Sequence, residues 1–237
     1  MAKAKRKQEV VEEVEEIEEE VEEIVEEIEY ESTLDLILGK YRNVLIGVGA
    51  FILAAVGVFA FLSYQRGVKG KEARSEMYKA VQYFEADSLQ KALNGDGAYL
   101  GFLDIESEYS GTDEADLAKY YLGIINIRLN NLDEGIEYLE AFPKSDALLS
   151  VAAYTALGFA YEDTGDPQEA ARNFERAASV VDENEFTTPK MWLEAGRNYE
   201  AAGMPDKAAA LYTKIKEKYP NSTEGATIDK YLGRVAD

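Results

Sequence analysis

Three hydrophobic patterns follow one another along the chain. Over residues 9–31, Val10, Val14, Ile17, Val21, Ile24 and Ile28 recur at spacings of 4, 3, 4, 3 and 4, a heptad seam that predicts a helix with one apolar edge. Between Arg42 and Arg66 no charged residue occurs, and NVLIGVGAFILAAVGVFAFLSYQ predicts one continuous apolar helix. From about residue 70 the chain reads as successive amphipathic helices separated by turn residues, with almost none of the alternation that marks strands. The pattern divides the chain into an acidic, low-complexity segment (1–42), an apolar helix (43–65) and an all-α helical domain (70–237).

The apolar helix would span roughly 34 Å, enough for a hydrocarbon core of about 30 Å. Tyr41 and Tyr64 stand near its ends, and Lys40, Arg42, Arg66 and Lys69 flank it as snorkelling anchors, so a single transmembrane helix is expected. A cleaved signal peptide is the competing reading, with Val58 and Ala60 as small residues before a cut. It fits poorly, because a signal peptide starts with a short basic stretch rather than a long acidic one. Gly47, Ala50, Ala54 and Gly57 share one face of the span, where a second helix could approach closely. Arg66, Lys69, Lys71, Arg74 and Lys79 outnumber Lys40 and Arg42, so local charge alone favours a cytoplasmic repeat domain.

The acidic segment changes what the seam can bind. Residues 1–43 carry six basic against fifteen acidic side chains. Self-pairing would set Glu13, Glu20 and Glu27 at flanking positions with no cation to meet them, so a basic partner suits the seam better. A solvated, partly helical tail is the alternative.

A period is present after the span. Leu157, Gly158, Tyr161, Gly165, Ala170, Phe174 and Ala177 align with Ala195, Gly196, Tyr199, Gly203, Ala208, Tyr212 and Ile215 at a constant offset of 38. Tyr154 and Trp192 precede the two sets, and Pro220 closes the second. This resembles the tetratricopeptide repeat, in which small residues let paired helices approach and aromatics fill the space between them. Leu122, Gly123, Asn130 and Leu139 form a weaker copy, with Asn126 in place of the tyrosine and Gly135 in place of the packing alanine. Met77, Ala80, Tyr83 and Ala92, followed by NGDG and a helix with Leu100, Phe102, Leu103 and Ile105, indicate a degenerate first copy with an inserted turn. STEGATIDKYLGRV predicts a terminal capping helix, giving about four helix pairs and a cap.

An uncharged span directly before such repeats resembles bacterial single-pass membrane tetratricopeptide proteins of the YfgM type, an ancillary subunit of the SecYEG translocon. The likeness runs from DLILGKYRNVLIGVGAF through EARSEMYKAVQYFE. It implies an inner-membrane protein with a cytoplasmic N-terminus and a periplasmic repeat domain, in contact with translocon subunits or folding factors. A holding chaperone or scaffold for protein transport is the expected role, and an envelope-assembly or cell-division scaffold is the alternative. Long domains translocate largely regardless of flanking charge, which favours the implied orientation over the local count.

Composition then removes most chemistry. With no histidine and no cysteine, imidazole bases, triads and the usual zinc or iron–sulfur sites are excluded. The net charge of −21 argues against nucleic acid. No enzyme, cofactor or metal residue is assigned, and small-molecule substrates are not expected. The expected partner-binding groove is formed by the first helix of each pair: Met77, Val81 and Phe84; Tyr120, Ile124 and Ile127; Thr155, Phe159 and Glu162; and Leu193, Arg197 and Glu200. These side chains predict a largely apolar groove, suited to an extended hydrophobic segment or a partner helix.

Overall fold

The computed structural model describes the backbone of residues 2–181 and 184–235, with side chains at 20–22, 39 and from 41 onward within them. Among the described residues every regular element is helical: α1 (Ala2–Glu85), α2 (Leu89–Asn94), α3 (Phe102–Glu108), α4 (Asp113–Arg128), α5 (Leu132–Ala141), α6 (Ala147–Thr164), α7 (Pro167–Val180), α8 (Thr187–Ala201), α9 (Pro205–Lys218), a 3-10 turn (Gly225–Thr227) and α10 (Asp229–Leu232). The chain divides into two units, Met1–Tyr64 and Gln65–Asp237.

The described part of the first unit is helical throughout. From Tyr41 to Tyr64 its side chains are exposed, Gly49 alone being half-buried, and Phe51 and Leu53 each keep 74% of their surface open. By length and composition α1 holds a stretch able to cross a membrane. Of the heptad seam, Val21 is exposed, while the side chains of Val10, Val14, Ile17, Ile24 and Ile28 lie outside the described residues.

In the second unit the helices pair in sequence. α4 packs on α5, α6 on α7 and α8 on α9, while α3 meets α4, α5 meets α6 and α7 meets α8. Capping side chains set the starts of several helices: Thr112 accepts from Ala115 N at 3.2 Å, Asp146 from Leu149 N at 2.9 Å, and Asp166 from Glu169 N at 3.1 Å. Each satisfies an amide that the helix itself leaves without a partner. Pro167 and Pro205 open α7 and α9 in the first turn, where no amide hydrogen is needed. Gly165 ends α6 in the left-handed region at φ 82°, which glycine adopts without strain.

One contact recurs between the helices of a pair. A Cβ built on Gly158 would lie 2.6 Å from the Phe174 ring, one on Gly123 would lie 2.5 Å from Leu139, and one on Gly196 would strike Tyr212. Glycine and ring or leucine are sixteen residues apart in all three pairs. Phe174, Leu139 and Tyr212 are fully buried by this approach. The first pair lacks the contact. There the second helix is split into α2 and α3 by a turn at Gly95, with φ 78°.

The carboxy-terminal cap departs from expectation. Instead of one helix through 222–235, the chain makes the 3-10 turn and the single helical turn α10. Ser222 explains part of this: its hydroxyl donates to Tyr219 O at 2.9 Å and accepts from Gly225 N at 2.9 Å, holding the chain in a turn. Gly225 packs its backbone against the Tyr219 carbonyl, leaving no room for a side chain. Ile228 is nonetheless buried, and Tyr231, Leu232 and Val235 pack on the core of α7–α9, so the end of the array is still covered.

The glycine contact makes a stability prediction. Gly158→Ala should place a methyl into the Phe174 ring and cost about 1–3 kcal/mol through overpacking. A denaturant melt followed by circular dichroism measures it, and an unchanged midpoint would show that the ring can move aside freely.

Candidate partner-binding site

The first helices of the pairs share one burial pattern. In α4 the buried positions include Ala115, Ala118, Leu122 and Ile125; in α6 they include Ser150, Ala153, Leu157 and Ala160; in α8 they include Thr188, Met191, Ala195 and Asn198. The spacing is 3, 4, 3 in each. The end of α1 repeats it with Gly70, Ala73, Met77 and Ala80.

This register moves the first unit of the expected groove. Met77 is 5% exposed and stands where Leu122, Leu157 and Ala195 stand in the other pairs, inside the core. Val81 and Phe84 are half-buried against the same cluster, and Phe84 meets Tyr121 edge-on at 5.1 Å. The positions equivalent to the other groove residues are Ser75, Lys79 and Gln82, and Lys79 Nζ donates to Gln82 Oε1 at 3.1 Å. That end of the face is polar rather than apolar.

The second unit is apolar but mostly occupied. Tyr120 lies 5.6 Å from Phe142 and 5.7 Å from Tyr121 between ring centroids, and Ile124 and Ile127 pack on the cluster around Leu139, Ala153 and Leu157. In the third unit Thr155 Oγ1 donates to Met191 Sδ at 3.3 Å, and Glu162 accepts from Asn198 Nδ2 at 2.7 Å, so both tie α6 to α8. Phe159 is different: it is 44% exposed, with one edge against Phe174 at 5.1 Å. In the fourth unit Leu193 is partly buried, and Arg197 is exposed and paired with Glu194 at 2.8 Å. Glu200 accepts from the Tyr212 hydroxyl and from Arg234 Nη2 at 2.9 Å. The terminal segment thus lies on α9 and the end of α8, with Tyr231 against Tyr212 at 5.5 Å. In the first unit of the chain, a Cβ at Gly47 or Gly57 would meet nothing within 4 Å, and Ala50 and Ala54 are exposed.

A second set of polar ties escaped the sequence reading. Tyr161 Oη donates to Glu140 Oε1 at 2.6 Å, and Tyr199 Oη donates to Glu175 Oε2 at 2.5 Å. Each glutamate follows directly after Leu139 or Phe174, so the tie joins every such repeat to the helix before it. The repeat register carried that signal. Burial first, and then the glutamate bond, pushes Tyr161 well above the usual phenol range and Tyr199 up to about 12. In Tyr212 the same two causes, with Glu200 as acceptor, act in the same direction. These groups are protonated donors that hold helices together, with no base or nucleophile among them.

The fold is a tetratricopeptide-repeat solenoid. The model of the tetratricopeptide repeat family matches residues 191–222. Among solved structures, the repeats of a Podosopora anserina putative kinesin light chain, described as nearly identical and TPR-like, are 17% identical with a TM-score of 0.50. The match covers 70% of this chain and 86% of that one. A point variant of the same protein gives 19% identity, 70% and 85% coverage and a TM-score of 0.49. A comparison with curated proteins gave no match. Tetratricopeptide arrays are typically non-catalytic scaffolds that bind other proteins, and the residues above fit that class.

The tyrosine ties predict an alkaline transition. A phenol whose pKa is higher folded than unfolded adds stability that is complete below pH 10, and the gain is lost as pH rises towards 12. Tyr199→Phe should be less stable than the parent at pH 8 and should lose less between pH 10 and 12. Parallel stability curves for the two proteins across that range would contradict the tie.

Proposed function

We propose that this chain is a membrane-anchored scaffold of the bacterial inner membrane, with residues 1–42 in the cytoplasm, 43–65 in lipid and the repeats in the periplasm. There it serves a protein-export translocon as an ancillary subunit and holding chaperone, contacting translocon subunits or folding factors. The observation that carries the reading is the uncharged stretch from Asn43 to Gln65, helical and solvent-exposed, standing directly before the repeat array. An apolar surface of that size has no solvent of its own in water, and a bilayer supplies one. The sequence pattern across DLILGKYRNVLIGVGAF and EARSEMYKAVQYFE favours the translocon over other envelope sites.

The array supplies the protein-binding part. On the face formed by the first helices, Phe159 keeps free apolar surface, Arg197 is exposed, and Tyr120 and Ile124 are half-buried. A hydrophobic segment of a client could seat against Phe159, and a buried anchor of that kind contributes about 2 kcal/mol or more. The open small-residue face of Gly47, Ala50, Ala54 and Gly57 suits a neighbouring membrane helix.

Two measurements test this. A reporter fused after Asp237 that is active only outside the cytoplasm should be active, and activity of a cytoplasm-only reporter would reverse the orientation. Pull-down from gently solubilised membranes should recover translocon subunits, and Phe159→Ser should lower recovery of soluble clients at least several-fold with helicity unchanged. Recovery of envelope-assembly or division proteins in place of translocon subunits would overturn the export reading and leave the scaffold.

A further inference from the structure

The second helices of the pairs form two clefts in corresponding places. One, of about 550 Å³, is lined by Leu93, Leu103 and Glu106 before the second pair, by Lys119 of α4, and by Glu134, Glu137 and Tyr138 of α5. The other, of about 510 Å³, is lined by Arg172, Glu175, Arg176 and Ser179 of α7, Trp192 of α8 and Lys214 of α9. Lys119 and Trp192 are equivalent, each four residues before its repeat glycine, Gly123 or Gly196. The correspondence is one of position, and the charge is opposite. Three glutamates face one lysine in the first, and that lysine is held by Asp116 at 2.8 Å. Three cations face one glutamate in the second.

The state of each charge in the second cleft is decisive. Glu175 is engaged, its Oε2 accepting from Tyr199 at 2.5 Å. Arg172 is paired with Glu169. Arg176 and Lys214 have no ion pair among the described residues: Arg176 reaches only Asn173 Oδ1 at 3.4 Å, and Lys214 Nζ sits 5.7 Å from the centre of the Trp192 ring. Arg172 and Arg176 are one helical turn apart, so their guanidinium groups share a face of α7. A domain with excess acid thus concentrates these cations at one cleft lined by Trp192, whose ring also meets Tyr219 edge-on at 5.6 Å.

We propose that this cleft binds an acidic peptide segment of a partner protein, seating a carboxylate between Arg176 and Lys214 and an apolar neighbour on Trp192. A planar guanidinium donates two parallel hydrogen bonds to a carboxylate, and Lys214 adds a point charge from the opposite helix. The acidic cleft of the first two pairs repels the same segment, which fixes where along the array it docks. Membrane separation keeps the chain's own residues 9–31 from serving as occupant under the topology proposed above. The surface differs from the face of Phe159, so the two partners do not compete.

The test uses the full chain in detergent micelles and a fluorescein-labelled peptide of alternating glutamate and phenylalanine, read by polarisation at low salt and again at several times that concentration. Binding should be present at low salt, fall at least several-fold at high salt, and fall about tenfold in Arg176→Glu with Lys214→Glu. Arg176→Gln with Lys214→Gln, which keeps the side chains neutral and exposed, should give a smaller loss, and circular dichroism reports whether either variant has unfolded. Phe159→Ser should bind as the parent does, so that loss of the export clients and loss of this peptide are separable. No binding by the parent, equal binding of the glutamine version of the peptide, or full binding by the folded neutral variant would each overturn the proposal.

Discussion

The repeat domain depends on a single packing constraint: a position with no side chain on the first helix of a pair, against a large side chain sixteen residues later on the second. Gly158 with Phe174, Gly196 with Tyr212 and Gly123 with Leu139 satisfy it. The small residue lets the helices approach, and the large one is then buried completely, so close approach and apolar burial come from one contact. Everything else in the pair follows from it. Ala170, Ala177, Ala208 and Ile215 are buried because their helices are already held close, and the next pair stacks on the surface so formed.

The first pair shows what happens without the constraint. The position equivalent to the glycine is Tyr78, which is 67% exposed, and the position sixteen residues on is Asn94, where α2 ends. With no ring to be received, the second helix is not held in one piece, and Gly95 and Gly101 turn the chain before α3 begins. Phe102 and Ile105 then fill the space from α3, with Phe102 stacked on Tyr121 at 4.6 Å. Arg74 reaches across to the buried Glu114 at 2.5 Å and helps tie α1 to α4 where the usual packing is missing.

Legibility in the sequence tracks this constraint. The last two pairs were readable because glycine, tyrosine, alanine and aromatic fall at one offset, and the tetratricopeptide solenoid follows from them. In the first pair the pattern points two positions away from the groove, because Met77, Val81 and Phe84 have the spacing of a groove face as well as of a core face. Only the burial of Ala73 and Ala80 separates the two. Alanine carries no hydrophobic signal strong enough to do so in a sequence. A Ser/Thr cap and a following glutamate mark a helix start and so predict a longer terminal helix, while the contact of Gly225 with Tyr219 O that limits it is tertiary. The tyrosine–glutamate ties are likewise contacts between repeats, invisible within one.

The same reasoning explains why a face that looked open in sequence is largely spoken for. In a nearest-neighbour array each first helix must meet the next as well as its own partner. Tyr120, Ile124, Thr155 and Glu162 sit where successive first helices converge, so they contribute to the seam before any ligand arrives. Among the described residues, exposed surface remains at Phe159 and Arg197 on the first helices and at Arg176 and Lys214 on the second, where the half-buried Trp192 lines the cleft with them. A partner that spans two pairs would therefore compete with or reinforce the ties from Thr155 to Met191 and from Asn198 to Glu162. Occupancy of the face and stiffness of the array are then one equilibrium, because a ligand that favours one spacing of α6 and α8 shifts the seam by its difference in affinity for the two.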